Sequence, residues 1–416
     1  MARSALRKAS DALHATLLDQ GGPRYFEKET VHFCGLLGAP SGELAVFLPR
    51  NCDGDDRLQT ARLTVQALAR YGRETDSRTG HESGDEDTIS VLPVIYDLAQ
   101  DFVRYGIYAE RQRYKNRDTG KPDWKSTIAS EVPLLRRDGV AVYPVMRTTR
   151  VIDSRDIPLA RIQSAILREI SDRHGWWLDE SFKGAAKALP DISKPRLPRA
   201  MWSFALREAF NGLYAARPMA LASLLMRYLE EDRSVSGGGF IAGVADFERV
   251  WETMLRRTLR NEETGRWNTR LPKPAYVDRE DILRPIGSGM EMDIVLREVH
   301  GDRDHLHILD AKYYAATGTG SVPKTGDIVK QLMYEKAMEA AIEDAGTGET
   351  VSGGFVFPSG GQHAKPFVKA GLTTGQTIDY RFPTIRIHYV DIIQVMSAYV
   401  GRRSIRLHPD LEPEPA

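Results

Sequence analysis

The segment from Asp293 to Tyr314 restricts the fold of this chain more than any other. Two apolar-rich runs, Asp293–Val299 and His305–Tyr314, flank the turn-forming His300-Gly-Asp-Arg303, which predicts an antiparallel β-hairpin. With the turn centred between Gly301 and Asp302, residues facing each other across the hairpin have numbers that sum to 603. Asp293 then faces Asp310, with the two Cβ atoms about 5 Å apart. Strand alternation puts Leu306, Ile308, Asp310 and Lys312 on one face and His307, Leu309 and Ala311 on the other.

Carboxylates placed side by side repel and resist joint ionisation unless a cation joins them. A hard divalent ion removes that conflict, and Mg2+ accepts one or two carboxylates together with phosphate oxygens and waters. Lys312 could orient an attacking water or stabilise negative charge on a phosphorane-like transition state. The triplet therefore points to a phosphodiester hydrolase. Asp310 and Lys312 alone could also be a plain surface ion pair. The apolar residues around them and the helix that follows favour the chemical reading.

That helix is expected from Asp327, an N-cap after Gly326, to Ala345, with Gln331, Tyr334 and Glu335 beside the sheet. A helix over Asp246–Leu259, strands over Ser352–Phe357 and Thr384–Tyr389 and a helix over Ile392–Val400 complete the block. The order predicts an α/β sandwich with a mixed sheet. Upstream, Val31–Leu37 and Leu44–Leu48 read as strands. Met1–Leu18, Asp55–Tyr71 and Pro158–His174 read as helices, and Val91–Tyr108 as mixed strand and helix. Lys183–Arg199, with Pro190, Pro195 and Pro198, reads as a linker, followed by a helical block Trp202–Leu229 and a flexible joint over 234–239. The expected domains are an α+β accessory region over 1–182, a linker and helical connector over 183–240, and the catalytic block over 241–416.

Composition narrows the partners. Lys and Arg total 57 against 57 Asp and Glu, so a nucleic-acid site must come from local segregation of charge. Residues 101–150 hold 11 basic and 6 acidic residues. There Arg111, Arg113, Lys115, Lys121 and Lys125 interleave with Tyr105, Tyr108, Tyr114 and Trp124, a pattern suited to phosphate contact and stacking. Cys34 and Cys52 build no disulfide framework, which fits a reducing cytoplasm. No apolar run reaches the ~18 residues of a membrane span. Gly318–Thr325 mimics a phosphate-binding loop, but Pro323 lacks the N–H that such a loop needs. His305 and His307 point away from Asp310 and read as turn and surface histidines.

Met290-Glu-Met-Asp293-Ile-Val-Leu, Ile308-Leu-Asp310-Ala-Lys312-Tyr-Tyr and Gly326-Asp-Ile-Val-Lys-Gln331-Leu-Met-Tyr334 together resemble the nuclease core of the PD-(D/E)XK superfamily. More narrowly, they are similar to LlaJI-type restriction endonucleases and their McrC-like relatives. The resemblance implies that Asp293, Asp310 and the Ala311 carbonyl bind Mg2+, with Mn2+ able to substitute. It makes Lys312 the water-assisting lysine and has Gln331 and Tyr334 support the site. It also implies an acid from the preceding helix, Glu248 before Glu252, and puts Lys330 beside the DNA. Met292 stands where that superfamily usually has proline. The function implied is a DNA endonuclease of restriction or anti-phage defence, working beside an AAA+ motor of McrB type or a DNA methyltransferase, or as a homo-oligomer. An adaptor with the nuclease fold and a repair or RNA-directed nuclease are the alternatives.

Overall fold

The computed structural model describes residues 26–27, 30–31, 33–39, 43–52, 56–79, 91–117, 119–189, 192, 194–233, 240–285, 289–300, 303–360 and 365–407. The expected first helix, the Gly301–Asp302 turn centre and the 234–239 joint lie outside them. The chain forms two units, one built from residues up to Pro93 and from Val235 onward, the other from Val94 to Ser234.

In the first unit, β1 (Cys34–Gly38), β2 (Leu44–Phe47) and β3 (Phe240–Val244) form a three-stranded sheet with β1 in the middle. The pairing of β1 with β3 is antiparallel, Gly38 opposite Phe240 and Cys34 opposite Val244. The main sheet is mixed and has five strands. It contains β4 (Ile294–His300), β5 (Arg303–Ala311), β6 (Thr350–Ser359), β7 (Lys369–Ala370) and β8 (Ile385–Asp391), ordered β4-β5-β6-β8-β7. β5, β6 and β8 run parallel, and the outer pairs are antiparallel. Ile294 pairs with Leu309, the register the 603 sum predicts.

Helix α3 (Thr325–Ala345) makes the crossover from β5 to the parallel strand β6. Its Tyr334, Ala337, Met338, Ala341 and Ile342 bury against Val295, Leu306, Ile308 and Trp267. Helices α1 (Arg57–Thr79), α2 (Phe247–Thr258) and α4 (Ile392–Val400) pack on one another. The cap Asp246 accepts a hydrogen bond from the Glu248 amide, and Val250, Trp251, Met254 and Leu255 line the buried stripe of α2.

The second unit contains a sheet of Glu110–Arg117, Arg147–Ser154 and Lys121–Pro122, in that order, and helices Pro158–His174, Glu180–Lys187, Trp202–Phe210 and Ala216–Arg233. Several expectations change. Val91–Tyr105 is helical throughout, because its apolar residues follow a helical period and Pro93 falls in the first turn, where no amide is needed. The helix through Lys187 removes the first residues of the expected linker. The domain grouping also differs from three successive blocks. Strand β3, at the start of the C-terminal block, pairs with β1 from the N-terminal region, so residues 94–234 are inserted into one unit.

Candidate active site

Asp293 immediately precedes β4, and its Oδ2 accepts a hydrogen bond from the Ala311 amide at 2.9 Å. Burial, reinforced by the neighbouring Asp310, pushes its carboxyl up to about 7. Asp310 is 4% exposed near the end of β5. Its Oδ2 lies 2.7 Å from Lys312 Nζ, and its Oδ1 accepts from Lys330 Nζ at 3.4 Å. Lys312 also donates to Asp327 Oδ1 at 2.9 Å. Burial disfavours the Lys312 charge, but the bonds to Asp310 and Asp327 outweigh it and raise its pKa, so the group is an ammonium at neutral pH.

Helix α3 holds this arrangement by its backbone bonds to both strands of the hairpin. Gln331 Nε2 donates to the Ile308 carbonyl at 2.6 Å, and Tyr334 Oη donates to the Glu291 carbonyl at 2.6 Å. Each anchored carbonyl lies two residues before one of the paired aspartates. Gln331 thus fixes the strand that carries Asp310, with its own side chain buried. The close approach of α3 depends on Gly353 in β6. A Cβ there would come within 2.3 Å of Glu335 Oε1 and 2.9 Å of Gln331 Cγ. Glu335 is buried, which pushes its carboxyl up to about 7 against the opposing Gly353 amide bond.

Glu248 and Glu252 bring further negative charge from α2. Burial, then Asp246, raises the Glu248 pKa, and its field reaches Lys312, Asp310 and Asp327. Glu252 is raised mainly by burial, and its field reaches Asp310 and Asp293. Among the described residues no three His, Cys, Asp or Glu side chains are grouped so as to hold a metal ion by themselves. Two carboxylates and a main-chain carbonyl suit a hard ion that keeps several waters.

Met292 replaces the expected proline for a visible reason. Asn268 accepts from its amide and donates to its carbonyl, each at 3.0 Å, and proline has no amide hydrogen to give. The expected surface histidines need correction. His307 is 6% exposed, with Nε2 2.8 Å from Glu298 Oε2 and Nδ1 2.9 Å from Ser352 Oγ, while both ring nitrogens of His305 meet hydroxyls of Thr350 and Ser352. These polar partners let a strand histidine face inward.

The helix begins at Thr325 with Lys324 as its cap, so Asp327 sits one turn in, where its Oδ2 accepts the Lys324 amide at 3.0 Å. Read from sequence only as a cap, Asp327 is the site residue that was missed. The available signal was an acid in the first helical turn, where its carboxylate can take the amide three residues before it.

The basic residues at 111–125 belong to the second unit. Arg111, Lys115, Lys121 and Lys125 are exposed, and the Arg113 backbone pairs with Val151, its side chain lying outside the described residues. Lys115, Arg117, Ser126 and Arg147 help line a cleft of about 190 Å3 there.

A mixed α/β fold with two crowded aspartates and a lysine at one end of its central hairpin is the arrangement described. The LlaJI restriction endonuclease family model matches residues 41–391, and the chain belongs to that family. The type II restriction enzyme BsuMI component YdjA of Bacillus subtilis (strain 168) is 26% identical over 167 residues, which cover 39% of this chain and 34% of that protein. The match thus spans about a third of the curated relative's length. Two solved structures from Thermococcus gammatolerans show similarity at 16% identity. The half-complex of McrB AAA+ hexamers with bound McrC aligns over 90% of this chain and 82% of the other, with a TM-score of 0.41. The McrBC complex aligns over 55% and 65%, with a TM-score of 0.28.

Proposed function

We propose that this chain is a divalent-metal-dependent DNA endonuclease with a PD-(D/E)XK core, acting in a cytoplasmic restriction or anti-phage system. The observation that carries the reading is buried Asp310 beside half-buried Asp293, with an ammonium 2.7 Å from one of the Asp310 oxygens. Membership of a restriction endonuclease family supports it. The donor set fits Mg2+ or Mn2+: hard carboxylate oxygens, one of them on an acid that burial and its neighbour hold up to about 7, whose mutual repulsion a dication removes.

Asp293, Asp310, the Ala311 carbonyl and Glu252 or Glu248 would hold the ion, which when bound supplies Lewis acidity and a water of lowered pKa. Lys312 keeps its proton, so its part is to donate hydrogen bonds to the attacking water or to phosphate oxygens as their charge grows. Gln331 and Tyr334 keep the two strands in register. The exposed basic residues Arg111, Lys115, Lys121 and Lys125 are the proposed DNA contacts of the inserted unit. The Bacillus relative is named as a component of its enzyme, and we read this chain likewise as a subunit beside an AAA+ motor or a DNA methyltransferase.

The test compares Mg2+-dependent nicking of plasmid by the wild-type chain and Lys312→Ala, with and without chelator. A loss of at least about 100-fold is expected in the variant. Equal nicking by both would remove the catalytic assignment.

A further inference from the structure

The two lysines at Asp310 are not equivalent. Lys312 is shared between two acids, Asp310 and Asp327, and Asp327 is itself pinned by the Lys324 amide. Removing Asp310 from its reach leaves it anchored. Lys330 differs: among the described residues its one acid within ion-pair distance is Asp310, at 3.4 Å. Its side chain is 46% exposed, and its Nζ lies 5.2 Å from the centre of the Tyr334 ring.

We infer that Lys330 is an exchange residue. In the free protein it neutralises Asp310, and in the nuclease complex it leaves that carboxylate to the metal and binds a non-bridging oxygen of the substrate phosphate. The physical basis is charge balance. A buried carboxylate beside a second acid needs positive charge nearby, and two ammonium groups supply it here. A dication on the same oxygen competes with the lysine whose one acid is Asp310 and whose other contact is the uncharged Tyr334. That lysine, half-exposed and one residue before Gln331, then lies free at the site where a phosphate would bring negative charge. Lys312 keeps its place through Asp327, so the two lysines divide the work.

This inference rests on the proposed nuclease reading, and the experiment separates their failures. Mn2+ binding to the full chain is measured by calorimetry for wild type, Lys330→Gln and Lys330→Arg. Binding of a mixed-sequence DNA duplex is measured by fluorescence anisotropy in Ca2+ over a range of salt. Lys330→Gln should bind Mn2+ more tightly than wild type, by about three-fold or more, because a competing cation is gone. The same variant should bind duplex several-fold more weakly, with the slope of log K against log salt reduced by about 0.9, one phosphate contact. Lys330→Arg should restore most of the duplex affinity. Thermal melting confirms that each variant is folded. Mn2+ binding by Lys330→Gln no tighter than that of wild type, or an unchanged duplex affinity and slope, overturns the inference while the nuclease reading stands. Absence of both Mn2+ and duplex binding in the wild type overturns the two together.

Discussion

The two ends of the β4–β5 hairpin carry similar numbers of charges and treat them differently. Near the turn, Arg297 donates to Glu263, Asp304 and Glu349, and His307 meets Glu298, so these four acids each face a cation or an imidazole. Burial opposes ionisation of Glu263 and Glu349, yet their bonds hold both carboxyls below the usual range. At the other end Asp293, Glu248 and Glu252 are all pushed up, chiefly by burial. The same pair of strands thus has one end where charge is settled by internal pairing and another with a surplus of acid that pairing does not relieve. Such a surplus, in a site whose groups converge, marks chemistry more often than architecture.

Ways to break that contrast rank by size. Lys312→Ala at the acidic end should give the largest change, the activity loss given above, with a smaller loss of stability because Lys330 still faces Asp310. At the settled end, Arg297→Met should do the reverse. Removing one cation leaves three acids without it, a loss of about 3 kcal/mol in urea unfolding, while nicking per folded molecule stays near wild type. Glu335 lies in between, on α3. Its folded carboxyl at about 7 is raised from the ordinary glutamate value of 4.5, so the folded state holds its proton longer than the unfolded chain. Stability from this group is therefore lost as pH rises from about 4.5 through 7, by up to about 3 kcal/mol. Glu335→Gln should flatten the decline in melting temperature between pH 5 and pH 8. A variant whose melting temperature declines as steeply as wild type would remove Glu335 as the cause. The smallest effect is expected from Tyr334→Phe, which loses only the bond to the Glu291 carbonyl, about 1 kcal/mol. A loss of nicking much greater than that of stability would show that strand register at Asp293 governs the chemistry.

The hairpin was legible because its register follows from turn position and a two-residue period, both local properties of the sequence. Pro158–His174 and Ile392–Val400 were legible in the same way, the first from its N-terminal proline and spacing of apolar residues. The join between β1 and β3 was not. Its strands lie about 200 residues apart in sequence, and no local pattern encodes which distant edge a short apolar strand will complete. At the site, the residue types of Asp293, Asp310 and Lys312 announced their chemistry. The second anchor of Lys312 did not, because Asp327 also serves a helix terminus, and one role hid the other. Glu248 and Glu252 lie one turn apart on the same helix, so both acids are carried to the same side of it.

The chain that leaves β2 and α1 for the insertion returns at Phe240 into β3, and two residues after β3 ends it starts α2, with Glu248 in the first turn. Five residue pairs with β1 hold that strand in place, so the entry of the helix that carries Glu248 and Glu252 is set by a strand from the far N-terminal part of the chain.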